Sequence, residues 1–133
     1  MKRQEIKVKT YNLAIYPARL YVVFGLEKKA SDFIYNNFLT YDGGEPLTSI
    51  KEDEYENARA VTFKLSRKRD DDFAVLIWLR KEITVGVIAH EAVHAAHFIF
   101  DAIGQDADNS NDEALAYLVG WIASLINETA RLK

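Results

Sequence analysis

The sequence predicts an α+β fold built on a small, mostly antiparallel sheet, and three features carry the prediction. Two pairs of short segments rich in β-branched and aromatic residues flank turn-forming residues, as hairpin strands do. Two longer segments carry apolar residues at helical spacing, and a glycine closes the first of them. The chain has 133 residues, enough for one core but not for a second domain of any size, so residues 1–133 are read as a single domain.

In chain order, residues 5–25 read as two strands around Tyr16-Pro17-Ala18, the second being Leu20-Tyr21-Val22-Val23-Phe24. Leu26, Ala30, Phe33, Ile34 and Phe38 then mark one face of an amphipathic helix over about 27–39, ending before Asp42-Gly43-Gly44. The polar stretch 41–57, with its charge run Lys51-Glu52-Asp53-Glu54-Tyr55-Glu56, predicts an exposed loop or a short helix. Ala58–Ser66 alternates, with Val61, Phe63 and Leu65 on one side, and Phe73–Leu79 is continuously apolar. Together they predict a second hairpin whose second strand is covered on both faces. Residues 83–103 are apolar nearly all round and predict a buried helix stopped by Gly104. A last helix over about 111–131 buries Leu115, Leu118, Val119, Ile122, Leu125 and Ile126. The expected element order is β-β-α-β-β-α-α.

Composition narrows the function. Hydrophobic residues make up 49% and charged residues 28%, with six glycines and two prolines, an ordinary globular balance. A net charge of -3 argues against nucleic acid as a partner, because a phosphate-binding surface leaves a basic excess. The basic run Arg67-Lys68-Arg69 is followed at once by Asp70-Asp71-Asp72, which cancels most of its field, so this segment reads as a solvated turn. Cysteine is absent, leaving imidazole and carboxylate as the metal ligands on offer. The first residues lack the apolar core of a secretory signal, and the longest apolar stretch contains Glu91, Asp101 and all the histidines. The expectation is a cytoplasmic protein with no membrane partner.

One segment names a chemistry. His90-Glu91-Ala92-Val93-His94 sets two imidazoles four residues apart on a helix, hence about 40° apart and one turn along the axis, with a carboxylate beside the first. The chain has three histidines, and His90, His94 and His97 all fall within eight residues. Hydrolytic zinc needs three protein ligands and one open position for water. His90 and His94 supply two of them. Glu91 fits the general base that takes the water's proton. Glu113, near the start of the following helix, is the candidate third ligand, because a short connection brings that helix back against the first. Ser110-Asn111-Asp112-Glu113 also reads as a capping box that would turn Glu113 onto its own helix end; with Asn109 as the cap, Glu113 is free to face the metal. Tyr117, one turn beyond Glu113, is a candidate donor to an oxyanion or a buried aromatic with its hydroxyl at the rim. His97 lies a further turn from His94 and pairs more simply with Asp101 at i+4. Asp106 and Asp108 read as loop acids or as partners orienting an imidazole.

His90-Glu91-Ala92-Val93-His94 followed by Asn111-Asp112-Glu113-Ala114-Leu115-Ala116-Tyr117 resembles the gluzincin group of zinc metallopeptidases, especially its small members. Ala116-Tyr117-Leu118-Val119-Gly120 is similar to a pattern in the minimal predicted peptidases of phage and bacterial mobile elements. The resemblance covers residues 83–120 and implies a zincin-like domain, a Zn2+ cofactor held by His90, His94 and Glu113, and a peptide or protein substrate. It also implies an edge strand that holds an extended peptide. Phe73–Leu79 stands at the right place in the order, although its all-apolar character suits a central strand. Two departures motivate a second expectation, a catalytically idle binding protein on the same scaffold. The chain has no room for the additional domain of larger gluzincins, and Tyr117 stands where those enzymes carry an acid four residues after the ligand glutamate.

Overall fold

The hairpins form as the alternation predicts: β1 (Lys7–Asn12) pairs antiparallel with β2 (Arg19–Phe24), and β4 (Ala60–Arg67) pairs antiparallel with β5 (Phe73–Leu79). The structure is a computed structural model describing residues 6–25, 27–51, 55, 57–106, 108, 110 and 112–131. Leu26, the acidic residues Glu52, Asp53, Glu54 and Glu56, the alternative cap Asn109, and Asn111 lie outside the described residues.

The class is α+β, but the sheet corrects two expectations. It is mixed rather than mostly antiparallel, with strand order β1-β2-β5-β4-β3 and a parallel β2·β5 pair at its centre. The physical reason lies in the two most apolar strands. From Ala74 to Leu79 every residue of β5 is buried, and Leu20, Val22 and Val23 of β2 are fully buried, so each strand needs cover on both faces and the two hairpins join through them. The second correction is a short additional strand. Helix α1 (Glu27–Asn37) ends earlier than expected: the Asn37 side-chain amide donates to the Phe33 carbonyl at 2.8 Å, and Phe38–Thr40 becomes an edge strand, β3, paired with Leu65–Arg67. A single turn, α2 (Thr48–Lys51), forms within the polar stretch. The observed order is β-β-α-β-α-β-β-α-α.

Helices cover both faces. On one, Ala30 and Ile34 of α1, with Leu47 and Ile50, pack on Val23, Leu65, Ala74, Leu76 and Trp78. On the other, α3 (Val85–Ala102) and α4 (Asp112–Arg131) pack on Leu20, Val22, Val75, Ile77 and Leu79. Ile77, Ile99, Leu118, Ile122 and Ile126 are fully or almost fully buried there, each contributing about 2 kcal/mol of apolar burial. Among the described residues no helix is long and apolar enough to cross a membrane.

Candidate metal centre

Helix α3 starts where Thr84 caps it, its hydroxyl accepting from the Val87 amide at 3.2 Å. It ends as Gly104 predicts. Gly104 takes a φ of 75°, its amide donates to the Asp101 carbonyl, and the Gln105 amide donates to the Phe100 carbonyl, a Schellman closure. Between these ends the helix is two-sided. Ile88, Glu91, Ala92, Ala95, Ala96, Ile99 and Phe100 are buried, whereas His90, Val93, His94 and His97 are exposed. The expectation of a helix buried all round is thereby corrected. Five of its apolar residues are alanines, which cover little area, and the remaining face carries the imidazoles into solvent.

The motif's two histidines converge. Their Nε2 atoms stand 3.1 Å apart and the rings meet edge to face, with centroids 4.7 Å apart. His94 also stacks on Phe98 at 6.4 Å, and Lys64 of β4 lies over the Phe98 ring while bridging Asp101 at 3.3 Å. Asp101 is therefore engaged across the gap to the sheet by Lys64, not along the helix by His97.

Glu91 takes the opposite course from its neighbour His90. It is 6% exposed and turns toward β4, where the Thr62 hydroxyl donates to its Oε1 at 2.6 Å, the short distance of a strong O–H···O bond. A buried carboxyl without a donor would be costly, and Thr62 removes that cost. Thr62 is the functional neighbour that the sequence reading missed. In Ala58–Ser66 the residues opposite Val61, Phe63 and Leu65 look like a solvent face, but Thr62 and Lys64 face α3 instead. A cleft of about 450 Å3 opens beside this pair, lined by Arg59, Ala60, Thr84, Val87, His90 and Glu91 among others.

The second helix contributes less closely. Glu113 is exposed in the first turn of α4, a position where its charge complements the helix dipole. Tyr117, one turn on, is 74% exposed and so is not the buried aromatic that was the alternative. Among the described residues no group of three His, Cys, Asp or Glu side chains is spaced to hold a metal ion, so Glu113 is not gathered with His90 and His94. Nor does the expected capping box form on Ser110: its hydroxyl and amide both bond Asp108 Oδ1, at 2.6 and 2.9 Å. Asp108 is thus engaged in a local turn, and Asp106 is exposed.

Two converging imidazoles beside a donor-fixed carboxyl form a site able to bind a cation and accept a proton. Comparison with family models, with curated proteins and with solved structures yields no match to this chain.

Proposed function

We propose that the chain is a zinc-dependent peptidase acting at the cleft between α3 and β4. The observation that carries the reading is the approach of the His90 and His94 Nε2 atoms to 3.1 Å beside Glu91. Two imidazoles bound to one tetrahedral zinc at about 2.05 Å lie roughly 3.3 Å apart, so the pair fits the ion with little movement. In this reading His90 and His94 would hold Zn2+, and Glu113 of α4, which stands apart from the pair in the structure, would have to move to it as the third donor. When bound, the ion acidifies a water and polarises a carbonyl. Glu91, with Oε1 engaged by Thr62, offers Oε2 as the proton acceptor and returns that proton to the leaving amine. Tyr117, on the exposed face of α4, is the donor for the oxyanion. The substrate is an extended peptide. No described strand pairs with Ala60–Lys64 on the edge away from β5, and this stretch starts at Ala60 in the wall of the cleft, which suits β-augmentation. The peptide edge is therefore on β4, not on Phe73–Leu79, which is central.

Protein purified without metal and dialysed against zinc should retain about one equivalent, and less than about half an equivalent would reject the metal reading. Glu91→Gln should keep the zinc and lose at least about 100-fold in peptide hydrolysis. One observation favours a second reading, a zinc-binding scaffold without turnover: Glu91 is already engaged by Thr62. Stoichiometric zinc with no hydrolysis of a diverse peptide mixture would select it.

A further inference from the structure

A second concavity lies on the opposite face of the sheet, where the end of α1 meets the turn between β4 and β5. It encloses about 550 Å3, and its wall carries Arg19, Arg67, Lys68 and Arg69 beside Tyr21 and Asn36, with no carboxylate among the described residues that line it. The order within this charge cluster comes from Arg67. Its side chain is 6% exposed, it donates to Asp70 from both Nε and Nη2, and Asp72 lies 3.6 Å away. These bonds, that to Asp70 first, raise the Arg67 pKa, and the same pair lowers that of Asp70, so both stay charged. Arg67 is therefore a neutralised, rigid frame rather than the solvated turn residue its sequence context suggests. Its Nη1 donates to the Tyr21 hydroxyl at 2.9 Å. Because the Tyr21 oxygen accepts there, its own hydrogen is available to a third group. The other cations are differently placed. Lys68 is exposed over the Tyr35 ring at 5.6 Å, Arg19 is exposed, and Arg69 is 78% exposed with Asp70 only at 3.8 Å, a separation worth little in water.

We propose that this pocket binds a small phosphorylated molecule, its phosphate held by Lys68, Arg69 and Arg19 and by the Tyr21 hydroxyl. Three cationic residues lining one concavity call for a ligand with more than a single negative charge, and the guanidinium fork matches phosphate oxygens. The volume exceeds that of bare phosphate and falls in the range of small-molecule sites, leaving room for a sugar or base against Asn36. A bounded pocket on a chain of net charge -3 disfavours a nucleic-acid polymer. The site is independent of the metal reading, since its residues lie on β1, β2, α1, β3, β4 and the turn after β4, and none on α3 or α4.

The full-length chain labelled with 15N should show saturable amide shifts at Tyr21 and at residues 67–69 when titrated with adenosine monophosphate, and weaker ones with inorganic phosphate. Adenosine should give none. The exposed pair Lys68→Ala/Arg69→Ala should fold normally and bind adenosine monophosphate at least about tenfold more weakly, and raised salt should weaken binding in the wild type. His90→Ala should leave the affinity unchanged. Absence of saturable shifts up to about 10 mM ligand, weaker than any useful site, or equal affinity in the double variant, would overturn the proposal. So would tighter binding of a single-stranded oligonucleotide than of the mononucleotide.

Discussion

Two buried side chains, Glu91 on one face of the sheet and Arg67 on the other, are held in opposite ways. On the α3/α4 face, Glu91 is met by a neutral hydroxyl from Thr62. On the α1 face, Arg67 is met by carboxylates, Asp70 and then Asp72, with Tyr21 beyond them. A charge matched by an opposite charge is a structural tie whose field is cancelled. A carboxyl matched by a neutral donor is satisfied without being cancelled, and its remaining oxygen keeps its capacity to accept a proton. Burial alone therefore does not mark a reactive group; the sign of what satisfies it does.

Three substitutions test this contrast, in descending size. Arg67→Met should lower the urea midpoint, since it removes the buried side chain that ties Asp70 and the Tyr21 hydroxyl together. The same variant should respond less to acid. Asp70 is held below its ordinary carboxyl value by Arg67, so its contribution is present above about pH 4 and is lost as the pH falls through the lowered folded value; without Arg67 that loss should flatten. Thr62→Val should cost about 2 kcal/mol by stranding the Glu91 carboxyl, and the cost should shrink by at least about 1 kcal/mol in a Glu91→Ala background. Equal costs in both backgrounds would show that Thr62 acts through packing instead. His90→Ala, on the exposed side of α3, should change metal-free stability by less than about 0.5 kcal/mol. On the proposed zinc site, zinc should raise the melting temperature of the wild type and leave that of His90→Ala unchanged.

Much of the fold was legible because its elements are long enough to show a period. Both hairpins, α1, α3 with its Gly104 stop, and α4 follow from alternation, helical spacing and turn residues. The three residues of β3 and the four of α2 are too short to carry one. The parallel junction of β2 and β5 joins strands more than fifty residues apart and depends on which strands need double cover, not on either strand's local pattern. The site divides the same way. His90 and His94 meet because a helix brings i and i+4 together. Thr62 lies 29 residues from Glu91, and nothing local to either announces the bond. Arg67 was legible as a charge but not as a buried one, since a basic run followed by three acids reads alike whether the acids solvate beside it or fold back to clamp it.

The shortness of β3 has a consequence of scale. It covers β4 only at Leu65–Arg67 and stops, leaving the five residues Ala60–Lys64 without a described strand beside them. At about 3.4 Å per residue that is a berth of roughly 17 Å, room for an extended segment of five residues. An extension of β3 by a few residues along β4 would close the berth without touching a histidine, so the length of this smallest strand works as a ruler for what can lie along this edge of β4.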